Sequence, residues 1–151
     1  MLSLHYAAPE AKKIWSHAAI AFAILYAAFV SIVYVTLLFV VEPHVVHHTQ
    51  SDVAPFLFGH GTFLQMLDGL GYAYMSLAVC LTAPLFRGGR LKGWIRAIAI
   101  ASGPGALGVL LSYVAYSGPL TLLGIGAFLV PVYGVLLAIY FHRAGRRAEL
   151  T

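Results

Sequence analysis

Four long apolar segments, separated by short polar stretches, account for most of this chain. They cover residues 14–41, 60–86, 93–116 and 120–141. Each is long enough to cross the hydrocarbon core of a bilayer, which takes a helix of about 20 apolar residues. The pattern therefore predicts an all-α membrane protein, with four transmembrane helices in a single domain over residues 1–151.

Composition agrees with this class of protein. Of the 151 residues, 61% are hydrophobic and 9% are charged, and the mean hydropathy is +0.88. A water-soluble domain carries about 25% charged residues, so these charges cannot cover a globular surface. The first apolar segment follows two lysines, as a signal peptide would, but it is much longer than the apolar region of such a signal. We therefore expect it to be a retained span.

Basic residues mark one side of the predicted bundle. They precede the first span, join the second to the third and follow the fourth: Lys12, Lys13, Arg87, Arg90, Lys92, Arg96, Arg143, Arg146 and Arg147. The connections at residues 42–59 and 117–119 contain none. Because positively charged loops stay in the cytoplasm, we predict a four-helix antiparallel transmembrane bundle with both termini cytoplasmic. We expect the lipid bilayer to be a partner and nucleic acid not to be one.

Small residues recur along the second, third and fourth spans, among them Gly69, Gly103 and Gly126. In lipid, such residues let helix backbones approach closely, and this contact drives association. They predict a tightly packed bundle. Small residues that face lipid would let the chain form a homo-oligomer or join a larger membrane complex.

Asp68 is the charged residue that lies well inside a predicted span, about 12 Å from its outer end. Burying a carboxylate at that depth is costly, so such a residue is a functional candidate. Gln65 and Tyr72 share its helical face, and Tyr34 and Tyr113 lie at comparable depth in neighbouring spans. These five residues predict a polar cavity that opens outward and binds a ligand or a proton. The alternative is a protonated Asp68 that joins helices by hydrogen bonds.

The outer loop at residues 42–59 and the start of the second span contain several possible metal ligands. They are Glu42, His44, His47, His48, Asp52 and His60. Their nitrogen and oxygen atoms would suit zinc, copper or a pair of irons, and three of the histidines would share one face if the first helix continued outward. No standard metal motif is present. The alternative is a polar loop at the membrane interface in which histidine replaces lysine.

Two further histidines, His17 and His142, lie near the cytoplasmic ends of the first and fourth spans. A haem held between two axial histidines would need them to face each other at matching depth. We favour an interfacial role for both. The sequence contains no nucleophile elbow and no phosphate-binding glycine loop, so it leaves open whether any reaction is catalysed.

The first half of the chain resembles a group of small bacterial four-span membrane proteins of unassigned function. The resemblance covers about residues 14–86 and rests on IWSH from residue 14, VVEP from residue 40, the acidic Asp68, LGY from residue 70 and APLF from residue 83. It implies a four-helix bundle in a bacterial cytoplasmic (inner) membrane. It implies no activity.

We expect a non-enzymatic ligand-binding or accessory subunit whose cavity around Asp68 takes a lipid or a small apolar molecule. One alternative is a metal-dependent membrane enzyme or redox protein that uses the outer-loop histidines, with a divalent metal as cofactor. A second alternative is a proton-coupled carrier in which Asp68 alternates between its protonated and charged forms.

Overall fold

All regular secondary structure in the part of the chain that the structure describes is helical. The computed structural model describes residues 1–59, 61–115 and 129–148. Its helices are α1 (Leu2–Tyr6), α2 (Lys13–Thr36), α3 (Glu42–Val46), α4 (Phe63–Cys80), α5 (Arg90–Ala115) and α6 (Leu129–Ala148). Short 3-10 turns lie at Glu10–Lys12, Gln50–Phe56 and Ala83–Leu85. The predicted all-α class is confirmed.

Three of the described helical stretches are long and apolar enough to span a membrane. They are Glu10–Val46, Phe63–Leu85 and Arg90–Leu111, with hydropathies of 2.6, 1.3 and 1.5. These stretches correspond to the first three predicted spans and are consistent with membrane integration. The fourth predicted span falls partly outside the described residues, and its described part is the apolar helix Leu129–Gly145. The predicted outer turn at residues 117–119 also lies outside them.

The first apolar helix continues beyond Thr36 through a π-helical turn, Leu37–Val41, directly into α3. The turn ends where the Glu42 N–H donates to the Leu37 carbonyl, five residues back. Pro43, which has no N–H to donate, follows directly as the second residue of α3. The whole stretch of 37 residues would be about 55 Å long. A helix of that length must tilt in a bilayer or protrude from it.

α4 occupies the centre of the described fold, because it packs along α2 on one side and along α5 on the other. Phe22 contacts Tyr74 with ring centroids 5.8 Å apart, and Tyr26 contacts Tyr72 at 6.3 Å. The residue number therefore rises along α2 as it falls along α4, so this pair of helices runs in opposite directions. α5 in turn packs against α6.

A hydrophobic core joins the end of α4 to the start of α5 and to α6. Its buried members are Leu4, Val79, Ala83, Phe86, Ile95, Ala99 and Tyr133. Leu4 belongs to α1, so the short N-terminal helix folds back and contributes to this core. Within it the Tyr133 hydroxyl lies 2.6 Å from Thr82 Oγ1, which joins the segment after α4 to α6.

Candidate functional site

The start of α4 is fixed by a reciprocal capping arrangement. Thr62 is the N-cap, and its Oγ1 accepts a hydrogen bond from the backbone N–H of Gln65. The Gln65 side chain reaches back, and its Oε1 accepts from the Gly61 N–H at 2.8 Å. The pair resembles a capping box, in which the N-cap and N3 side chains accept from backbone donors at the helix start, except that Gln65 accepts from the residue before the N-cap. Gln65, which the sequence predicts as a cavity residue, is therefore engaged in capping the start of the helix.

The position of this cap also makes Asp68 shallower in the helix than the sequence predicts. The sequence places the helix start at residue 60, whereas α4 begins at Phe63. Asp68 is thus six residues beyond the Thr62 cap, which is about 9 Å along the helix axis. Its side chain is half-buried. Asp68 lies inside the apolar stretch but nearer to its end than the expected 12 Å or so.

Asp68 and tyrosines from two helices lie in one region of the α2–α4 pair, with Tyr72 as their common neighbour. Tyr72 lies one turn later on the same face of α4, and its phenol is within electrostatic range of Asp68, of Tyr34 and of Tyr26. We call these four residues the tyrosine–aspartate cluster. The structure thus brings together three of the five predicted cavity residues. Tyr113 belongs to α5, but its side chain lies outside the described residues.

Tyr26 is a member of the cluster that the sequence analysis missed. It lies eight residues before Tyr34, a spacing that returns to roughly the same face of a helix. A search along α2 for polar residues in register with Tyr34 would have found it.

The tyrosine–aspartate cluster is accessible from the surface of the α2–α4 pair. Tyr34 is 54% exposed, and Asp68, Tyr72 and Tyr26 are half-buried. Phenol hydroxyls donate and accept hydrogen bonds, and a carboxyl accepts them or, when protonated, donates one. In apolar surroundings, this set can orient a molecule that is mostly apolar and has one polar group.

The outer-loop histidines do not form one helical face. α3 ends at Val46, His47 is its C-cap, and His48 has a left-handed backbone with a φ of 57°. His44 lies in α3, where its Nδ1 is 2.7 Å from the Val40 carbonyl oxygen. Because a carbonyl only accepts hydrogen bonds, Nδ1 carries the proton. His44 therefore donates to the backbone beside the π-helical turn.

The predicted metal ligands are not gathered into a site among the residues described. Within residues 1–59, 61–115 and 129–148, no group of three or more His, Cys, Asp or Glu side chains could hold a metal ion. Glu42, His47 and His48 are exposed. His60 lies outside the described residues, so a site that includes it stays a prediction.

His48 has a structural role in ending α3. The Thr49 N–H donates to the His44 carbonyl at 2.8 Å, and the His48 N–H donates to the Val45 carbonyl at 3.2 Å. This pattern is a Schellman motif, which requires a left-handed residue at the position of His48. Histidine tolerates that conformation better than most side chains other than glycine.

We expect His48→Val to lower the free energy of unfolding by about 1–2 kcal/mol, because the β-branched side chain clashes in the left-handed conformation. His48→Gly should leave it unchanged or raise it. Chemical unfolding of the detergent-solubilised protein would measure both, with His47→Val as the matched control. Equal losses in His48→Val and His48→Gly would show that the imidazole, rather than the backbone conformation, is important at this position.

A histidine pair lies at the other end of α2. The His5 and His17 rings have centroids 4.3 Å apart, and His5 Nδ1 lies 2.9 Å from Ser16 Oγ. The Ser16 hydroxyl donates to the Lys13 carbonyl, so its oxygen accepts from His5. The ring next to His17 thus belongs to α1, whereas His142 is exposed near the end of α6. α1 is only five residues long, which is too short for a periodic signal in the sequence.

Together, these features define an all-helical protein with apolar helices suited to a membrane and a polar cluster between two of them. The chain matches no protein-family model, no curated protein and no solved structure. Any assignment of function therefore depends on the arrangement of the chain's own residues.

Proposed function

We propose that this chain is a small integral membrane protein that acts as a ligand-binding or accessory subunit, with the tyrosine–aspartate cluster as its ligand contact. The observation that carries the proposal is the position of Asp68. Its carboxyl lies inside an apolar helix, half-buried, one turn before Tyr72, and Tyr72 in turn lies near the two tyrosines of α2. Ionisable groups at such positions are costly, and they usually mark ligand or ion sites.

The proposed topology is a four-span antiparallel bundle in a bacterial inner membrane, with both termini cytoplasmic. The distribution of basic residues supports it, because none lies in residues 42–59 or 117–119. In this orientation the tyrosine–aspartate cluster is near the outer face. A ligand would enter from that side or laterally from the outer leaflet.

The proposed ligand is a lipid or a small apolar molecule with one hydrogen-bonding group. Apolar side chains of α2 flank the cluster, including Val30 and Val33. The cluster itself contributes three phenols and one carboxyl. Such a combination binds the apolar part of a ligand by contact and orients its polar group by hydrogen bonds.

The proposed partner is a second copy of the chain or a larger membrane complex. Only 11% of the most apolar window of the first helix is buried, and Ile24, Ile32 and Val35 are all more than half exposed. That surface is free for contact with lipid or with another transmembrane helix.

Asp68→Asn tests the proposal, because it keeps the shape of the side chain, replaces one carboxyl oxygen with an NH2 group and removes the charge. We expect binding of the co-purifying ligand to weaken about tenfold or more, the effect of losing a hydrogen bond to a charged group. Mass spectrometry of an organic extract, from protein purified in mild detergent, would identify and quantify that ligand.

The matched control is Asp52→Asn, because Asp52 is an exposed carboxylate in the outer loop. It should retain the ligand as the unmodified protein does. If no lipid or small molecule co-purifies, and Asp68→Asn changes only the thermal stability, then Asp68 joins helices and the proposed function is wrong.

A further inference from the structure

A cavity of about 610 Å³ lies between the start of α5 and the end of α6. Its lining comprises Gly88, Gly89, Arg90, Leu91, Lys92, Tyr140, Arg143 and Ala144. A cavity of this volume falls within the range of small-molecule sites. It is also remote from the tyrosine–aspartate cluster, because the twelve residues from Asp68 to Cys80 already span about 18 Å of α4.

Three of the lining residues are cationic, and they come from two different helices. Arg90 and Lys92 belong to α5, and Arg143 belongs to α6. In the part of the chain that the structure describes, the ion pair is between Lys13 and Glu10, so no described carboxylate neutralises these three. Positive charges around a shared cavity repel each other, and a bound anion relieves that repulsion.

One of the three cations, Lys92, is held at the cavity by an aromatic wall. Lys92 Nζ lies 5.6 Å from the centroid of the Tyr140 ring, within the distance for a cation–π contact. The Tyr140 ring in turn packs edge-on against the buried Phe86, with centroids 5.8 Å apart. Tyr140 therefore fixes one wall of the cavity to the hydrophobic core, and Lys92 is oriented by that wall.

The level of the cavity indicates which anion is available. Trp94, two residues beyond Lys92, is 60% exposed, and exposed tryptophans concentrate at the boundary between lipid and water. The apolar stretch of α5 begins at this point. The cavity thus lies at headgroup depth, on the side where basic residues predominate and anionic lipids are abundant.

We propose that this cavity binds the phosphate group of an anionic phospholipid. Arg90 and Arg143 would hold its oxygens through paired N–H donors, and Lys92 would add a third charge beside Tyr140. The first hydrogen bond within α5 runs from the Gly93 N–H to the Gly89 carbonyl. The backbone N–H groups before Gly93 therefore have no partner within the helix, and they point toward its N-terminal end, where the cavity lies. This site is independent of the function proposed for the tyrosine–aspartate cluster.

The test is native mass spectrometry of the full chain, after incubation with phosphatidylglycerol, phosphatidylcholine or oleate in detergent. We expect phosphatidylglycerol to remain bound, and phosphatidylcholine and oleate to be retained much less. Arg143→Gln should weaken phosphatidylglycerol binding about tenfold, and the triple variant Arg90→Gln, Lys92→Gln, Arg143→Gln should weaken it by much more, because each cation removed takes with it hydrogen bonds to a charged phosphate oxygen.

A charge-matched triple control removes three cations near the same end that do not line the cavity: Lys12→Gln, Arg87→Gln and Arg96→Gln. It should retain the lipid. Equal loss in both triple variants would show a general electrostatic attraction and would overturn the proposal. So would retention of oleate equal to that of phosphatidylglycerol.

Inorganic phosphate forms the last arm of the test. If millimolar phosphate displaces the lipid and binds the lipid-free protein in calorimetry with the same dependence on Arg143, the ligand is free phosphate and the lipid assignment is wrong. Because Arg143 is exposed, its single substitution should leave the fold intact. Unchanged circular dichroism would confirm that.

Discussion

Tyr133→Ala is expected to lower the free energy of unfolding by about 3 kcal/mol. Tyr133 is 3% exposed and belongs to the core that joins α6 to the start of α5. Truncation of a buried aromatic side chain leaves a cavity that neighbouring groups refill only in part. The expected loss is near the low end for such changes, because helices that separate in lipid expose apolar surface to lipid rather than to water.

Tyr133→Phe separates the contribution of the hydroxyl from that of the ring. The Thr82 hydroxyl donates its hydrogen to the Val79 carbonyl, so the Tyr133 hydroxyl is the donor in the bond between them. Removing that donor leaves the Thr82 hydrogen satisfied. The expected loss is therefore about 0.6–1 kcal/mol, as for other hydrogen bonds between transmembrane helices.

The converse substitution, Thr82→Val, is expected to cost more than Tyr133→Phe, because it leaves a buried phenol without an acceptor. The double variant should cost less than the sum of the two single ones. Unfolding of the protein in mixed micelles with increasing dodecyl sulfate, followed by tryptophan fluorescence, would measure all four variants. Equal costs for Tyr133→Ala and Tyr133→Phe would contradict the packing role of the ring.

The long helices could be predicted from the sequence because their apolar runs are long and the bilayer sets their minimum length. The start of α4 could also have been read correctly. Thr62 and Gln65 have the spacing of a capping box, whereas the prediction followed hydrophobicity and began the span at residue 60. Local hydrogen-bonding chemistry, rather than apolar content, decides where this helix begins.

The arrangement of the outer loop was less predictable. The shared face of the histidines required α3 to continue, but the chain reverses at His48, where a left-handed residue completes the Schellman motif. No residue from Glu42 to Phe58 is a glycine, so the usual sequence signal for a helix end is missing. The spacing of His44 and His48 therefore suggested a helix that the backbone does not form.

The tyrosine–aspartate cluster was predictable only within each helix. The common face of Asp68 and Tyr72 follows from helical periodicity alone. The proximity of Tyr72 to Tyr26 and Tyr34 depends on how α2 is rotated against α4, which is set by close contacts such as those around Gly71. An added Cβ at Gly71 would lie 3.2 Å from Val30 Cγ2. Such fitting of surfaces is a property of the helix pair and cannot be read from either sequence segment.

Gly103→Leu is expected to disrupt the packing of α5 against α4 and to lower the free energy of unfolding by about 3 kcal/mol. That value is at the upper end for overpacking substitutions. A Cβ added at Gly103 would lie 2.9 Å from Cys80 Sγ and 3.7 Å from Cys80 Cβ. A leucine adds three further carbons in the same direction. The helices can accommodate them only by moving apart along a closely packed surface.

Gly103→Ala shows whether Cys80 is the cause. In the unmodified protein this change should cost about 1 kcal/mol, because the Cys80 sulfur must move. In a Cys80→Ala background the nearest remaining atom is the Cβ at 3.7 Å, an ordinary contact, so the cost should disappear. Dodecyl sulfate unfolding of the four proteins in this cycle would give the coupling.

Gly134→Ala is the matched control, because Gly134 lies within α6 with no atom that an added Cβ would meet within 4 Å. If Gly103→Ala costs the same in both backgrounds, something other than the Cys80 sulfur limits the approach of α5 to α4.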